Sequence, residues 1–114
     1  MLIKKLDDFT GGWFVGDFEP SLMKTSEMEC AIKKYKAGDR EPAHYHAVAT
    51  EITVVVSGTV QMNNKRFREG DIIVLSPNEV CEFAAITDAV NAVVKIPSAA
   101  GDKYIVEEDG ICST

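Results

Sequence analysis

Short runs rich in apolar and β-branched residues recur along this chain, some of them alternating with the period of two of a strand, and none of them outdone by the three-to-four spacing of a helix. They predict strands over 13–18, 27–36, 43–47, 51–57, 59–62, 65–68, 72–75, 80–86, 90–96 and 104–106. Turn residues separate the runs. Gly11-Gly12 precedes the first, and Ala37-Gly38-Asp39, Ser57-Gly58, Glu69-Gly70-Asp71 and Ser76-Pro77-Asn78 close later ones. Asn63-Asn64 is a hairpin signal between two runs. Helical spacing is confined to the first few residues and to 20–24, both short. About nine or ten closely spaced strands predict an all-β sandwich or barrel.

The run 51–57 bears on assembly. Glu51, Thr53 and Val55 share one parity, and Ile52, Val54 and Val56 share the other. A strand apolar on both faces is buried on both. One face can line a barrel, while the other needs a second cover, and a homodimer is the expectation. Met28, Cys30 and Ile32 share a parity that reads as core.

Composition narrows the classes. The chain has 114 residues, which predicts a single domain over 1–114. Its net charge of −6 disfavours a phosphate backbone as partner, so no nucleic acid is expected. No apolar run reaches the ~20 residues of a membrane span, and the N-terminus carries no secretory pattern. The three cysteines, Cys30, Cys81 and Cys112, form no CxxC pair. They read as reduced thiols in a cytoplasmic protein.

The only two histidines, His44 and His46, stand two residues apart, so on a strand both point to one side. Glu51 opens the next strand on the parity assigned to the interior. A carboxylate there is costly unless it is paired or bound to a cation. Two imidazoles and a carboxylate suit a divalent first-row metal such as Fe, Mn, Ni or Zn. His44, His46 and Glu51 are the predicted ligands.

The spacing Gly38, five residues, His44, one, His46, four, Glu51, six, Gly58 resembles the first motif of the cupins without a gap. In the second motif Gly70 and Pro77 fit. Glu79 stands at the glycine, Glu82 at the histidine and Ile86 at the asparagine. The two motifs span 38–58 and 70–86. The resemblance implies a double-stranded β-helix, a small jelly roll with the metal inside. It also implies a metal-dependent enzyme of dioxygenase, isomerase or lyase type acting on a small organic molecule, or else a non-catalytic module that binds or senses a small ligand. Fold does not choose between them.

Glu82 shares parity with Val80 and Ala84. Facing inward it is a fourth metal ligand or a general base. With the register shifted it is a surface residue. On the inward parity Cys81 faces away from the ion. Tyr35 is a candidate proton donor at the barrel mouth, and Trp13, Phe14 and Phe18 read as packing residues. Met28, Ile32, Val55, Met62 and Val94 are the expected apolar lining.

Overall fold

Runs rich in β-branched residues, closed by residues that accept positive φ, pair into two six-stranded sheets. The computed structural model describes residues 1–106 and the backbone of 112–113. Two 3-10 turns, Leu6–Asp8 and Thr10–Gly12, lead into the first strand. The first sheet contains β1 (Trp13–Gly16), β2 (Met23–Lys24), β3 (Glu29–Tyr35), β5 (Thr50–Ser57), β8 (Ile72–Leu75) and β10 (Ala89–Ile96), in the order β2-β1-β3-β10-β5-β8. The second contains β4 (Arg40–Tyr45), β6 (Thr59–Met62), β7 (Lys65–Arg68), β9 (Cys81–Ala85), β11 (Tyr104–Val106) and β12 (Cys112–Ser113), in the order β12-β11-β4-β9-β6-β7. Among the described residues only β1 and β2 pair in parallel. The all-β expectation holds. The segment 20–24, read as a short helix candidate, instead contributes β2.

The core lies between the sheets. Val55 and Leu75 from the first sheet meet Val60, Met62, Phe83 and Ala85 from the second. On β5 the inward parity is the expected one: Thr53 and Val55 are buried, at 3% and 0% exposure. The other parity, Ile52, Val54 and Val56, lies on the outer face, where Ile52 and Val54 are half-buried and Val56 is 45% exposed. Along β3 the expectation fails. Ala31 is the buried residue, so Met28, Cys30 and Ile32 belong to the outer face. Val94, paired with Cys30, joins them there. Sequence alternation set the parity correctly, but three apolar residues on one side drew the core to the wrong face. Cys30 and Cys81 are free thiols, and the side chain of Cys112 lies outside the described residues. Among the described residues no helix is long and apolar enough to cross a membrane.

The turn from β5 to β6 depends on Gly58. Its φ is +83°, and a Cβ there would stand 2.1 Å from the Asp88 carbonyl oxygen and 2.8 Å from Ala89 Cα. Both obstacles are backbone, so neither can swing away. Gly58→Ala is expected to cost about 2 kcal/mol or more, from left-handed strain plus the clash, read as a lower denaturation midpoint.

Candidate metal centre between the sheets

Side chains from both sheets enclose a cavity of about 120 Å³. β4 brings His44, and His46 follows just past its end. A register shift lies between Glu41 and His44. Glu41 pairs with Phe83 and His44 with Cys81, so three residues on β4 match two on β9. That is a bulge, and it lets Glu41 and His44 both face inward despite their odd spacing. Pro42 sits within it, where a missing N–H breaks no regular ladder. β5 then brings Glu51 and Thr53, one parity apart from its outer face.

The two imidazoles are nearly fully buried, at 8% and 5% exposure, with centroids 5.4 Å apart and rings edge to face. Each is oriented through Nδ1 by a backbone carbonyl. His44 Nδ1 donates to Pro42 O at 2.8 Å, and His46 Nδ1 donates to Asp102 O. A carbonyl only accepts, so each ring carries a proton on Nδ1, which leaves Nε2 free to offer a lone pair when it is unprotonated. Burial keeps the His44 imidazole below its ordinary value, against the pull of the Pro42 carbonyl, and so neutral. Burial alone would raise the Glu51 carboxyl. The neighbouring His46, Lys95 and His44 outweigh it and hold the group below the usual carboxylate range.

His46 Nε2 is buried with no hydrogen-bond partner. Glu51 Oε1 lies 3.4 Å away. With Nε2 unprotonated, two acceptor atoms would face each other beside the cavity, which is unfavourable unless a proton or a metal cation stands between them. Two donors of one ion, each ~2.0–2.2 Å from it, can be this far apart. Carbonyl-oriented imidazoles are also the usual support of metal-ligating histidines. The donor chemistry of His44, His46 and Glu51 therefore fits a divalent metal. As placed, however, no three His, Cys, Asp or Glu side chains among the described residues converge into a ready cluster.

Glu82 is not among these residues. β9 turns Cys81, Phe83 and Ala85 into the core, and Glu82 is exposed on the opposite face. Its side chain lies in a shallow outer groove with Arg40, Gln61 and Asn63, so it is neither a ligand nor a base for the cavity. The cause is pairing: Cys81 stands directly across from His44 and must share its side. Cys81, expected to point away, lines the cavity at 2% exposure. Burial, with the nearby Glu51 and Glu41 carboxylates, pushes its thiol up to about 12. Apolar alternation in Cys81, Phe83 and Ala85 was the signal for this register. Glu82→Ala is accordingly expected to leave metal content unchanged by elemental analysis.

Tyr35 does line the cavity. Its hydroxyl donates to Glu41 Oε2 at 3.1 Å, and its ring packs tilted on Phe83, centroids 4.5 Å apart. Burial and the Glu41 carboxylate raise the phenol far above its usual value, so it keeps its proton. Burial would raise Glu41, but the Lys33 ammonium 3.0 Å away holds it low. Trp13, expected only to pack, also faces the cavity, with Lys95 Nζ 4.8 Å from its ring centroid. Of the expected lining, Met62 is present and Val55 lies in the adjoining core. Met28, Ile32 and Val94 are on the other face of the sheet.

Two contributors carried no sequence signal. Asn91, on β10, is buried in the cavity wall with its Oδ1 unpartnered. Asp102 clamps the loop after His46: its carboxylate accepts from the backbone N–H groups of Ala47, Val48 and Ala49 at 2.8–3.1 Å.

No family model and no curated protein matches the sequence. Solved structures do. An uncharacterised conserved protein with a double-stranded β-helix domain from Klebsiella pneumoniae aligns over 93% of this chain and 92% of its own, with TM-score 0.70 and 18% identity. The DMSP lyase DddQ from Ruegeria pomeroyi aligns over 87% of this chain and 52% of its own, with TM-score 0.67 and 16% identity. An acetylacetone dioxygenase from Acinetobacter johnsonii aligns over 75% and 59%, with TM-score 0.63 and 13% identity. The chain has the double-stranded β-helix fold of the cupins. At these identities the likeness is one of fold, and it spans both enzymes and a protein of no stated activity.

Proposed function

We propose that the protein is a metal-dependent enzyme of dioxygenase, isomerase or lyase type acting on a small polar organic molecule. His44, His46 and Glu51 hold a divalent ion of the Fe, Mn, Ni or Zn group. One observation carries the reading: the buried, unpartnered His46 Nε2 facing the Glu51 carboxylate at 3.4 Å. Two structural neighbours named as a lyase and a dioxygenase lend support by fold. An ion held there supplies Lewis-acid polarisation of a substrate oxygen.

The chain's own residues do the rest. At about 120 Å³ the cavity admits only a small molecule. Asn91 Oδ1 accepts a hydrogen bond from it. Met62, Leu75, Phe83 and Val93 supply an apolar wall. Tyr35, locked to Glu41, holds a proton at its hydroxyl oxygen beside the cavity. Lys33, Lys95 and Lys103 stand around the cavity, each within 4.0 Å of a glutamate, Glu41 or Glu29. The unpaired thiols of Cys30 and Cys81 support a reducing, cytoplasmic setting.

The second reading is a non-catalytic ligand-binding module in which a proton, not a metal, bridges His46 and Glu51. The lack of three converged donors favours it. Elemental analysis separates the two. Protein purified without chelator should carry about one equivalent of a first-row divalent metal. It should also turn over some member of a panel of small organic acids, followed by product analysis and oxygen uptake. Protein that is folded yet takes up no such metal on dialysis sinks the enzyme reading and leaves the module.

A further inference from the structure

Each imidazole of the proposed centre is held from a second direction. Pro42 O accepts the His44 Nδ1 proton and Asp102 O that of His46. A carboxylate has no proton to give, so whatever anchors Glu51 has to be a donor. Thr53 supplies one. It follows Glu51 by two residues on β5, so it shares the inward face, and it lines the same cavity at 3% exposure. Its neighbours across the strands are apolar, Val93 on β10 and Ile73 on β8. Valine has the same branched shape and suits such a strand equally well. A hydroxyl buried there is costly unless it is bonded. It donates to Glu51 Oε2 at 3.4 Å, while Oε1 of the same carboxylate faces His46 Nε2, also at 3.4 Å. The two oxygens of Glu51 thus have separate partners.

We propose that Thr53 is a positioning residue for the metal centre: its hydroxyl holds Glu51 by Oε2 and so keeps Oε1 turned toward an ion shared with His46. Its role rests on the ligand set proposed above. A glutamate side chain has several rotatable bonds, and a carboxylate free to turn meets the ion in only some of its rotamers. Holding it in the ligating rotamer beforehand removes that ordering cost from metal binding. Hydrogen bonds that orient a ligand in this way typically change metal affinity by about 10–100-fold. With Oε2 taken by the hydroxyl, Glu51 presents one oxygen, which leaves a coordination position open for a substrate.

The test is the Kd for Zn²⁺ and for Co²⁺, measured on the full chain by competition with a chromophoric chelator. Thr53→Val should bind each ion about 10-fold or more weakly, and Thr53→Ser, which keeps the hydroxyl, should stay within about 3-fold of wild type. The visible bands of bound Co²⁺ should shift in Thr53→Val and return in Thr53→Ser. Thr53→Ala, also without a hydroxyl, should repeat the loss, and it replaces the valine variant should that one not fold. Chemical denaturation without metal separates a packing role. A lower midpoint in Thr53→Val with both constants unchanged overturns the proposal and leaves the ligand set standing. Equal losses in the valine and serine variants also overturn it, because the hydroxyl is then not the cause. A folded wild type that takes up neither ion overturns the ligand set and the role of Thr53 together.

Discussion

His46→Ala should reduce bound divalent metal from about one equivalent to near zero, an affinity loss of ~100-fold or more. Loss of an outer-shell partner alone typically costs 10–100-fold, and a direct donor exceeds that. The substitution removes the one ring nitrogen that is buried without a partner. It also strips Glu51 of the imidazole 3.4 Å from its Oε1. The carboxylate then keeps the Thr53 hydroxyl, which donates to its Oε2 at 3.4 Å, and the more distant Lys95 and His44 as support. Glu51→Gln should fail in the same assay for the complementary reason, because a neutral amide cannot balance the ion's charge. Elemental analysis of each variant beside wild type and Glu82→Ala makes the comparison direct. Loss in the first two with retention in the third is the expected pattern. Metal retained in His46→Ala would remove this histidine from the ligand set.

Asp102→Ala should cost about 3 kcal/mol of folding stability, lowering the thermal midpoint by roughly 10 °C. The carboxylate of this residue accepts three backbone N–H groups, from Ala47, Val48 and Ala49. Hydrogen bonds to a charged acceptor are among the stronger ones, and donors left unpaired away from water are expensive. Ala49, at 2% exposure, cannot turn to solvent, whereas Val48, at 56%, can, so the loss falls short of three full bonds. The same residue's carbonyl accepts from His46 Nδ1. Loosening the loop should therefore weaken metal binding as well. Asp102→Asn keeps one acceptor oxygen and should cost about half as much. Chemical denaturation of the three proteins, followed by fluorescence of Trp13, checks both steps. Equal stability across them would show that the clamp contributes little.

Much of the fold was legible because its causes are local. β-branched runs between glycine, asparagine and proline turns can hardly form anything but short strands, and the structure places strands at all ten segments, with shifted ends. β4 starts earlier than the residues after Pro42, because a bulge lets proline sit inside a strand that would otherwise exclude it. The site was legible in part for the same reason. A two-residue spacing puts His44 and His46 on one side, and a carboxylate opening a strand whose same-parity residues are Thr53 and Val55 has to face the interior.

What the sequence determined alone is thus the strand periodicity, the turns, and the grouping of His44, His46 and Glu51. Each follows from backbone geometry within a few residues. What only the tertiary structure decided is which parity faces inward where both are partly apolar. On β9 that choice was made by pairing with β4, which set Cys81 across from His44 and turned Glu82 out to water. On β3 it was made by pairing with β10, which buried Ala31 and put Cys30 and Ile32 outside. The clamp by Asp102, 56 residues from the histidine it orients, arises the same way. A one-residue step in register reverses every side chain of a strand, and the partner strand that sets the register lies too far along the chain for local pattern to reveal.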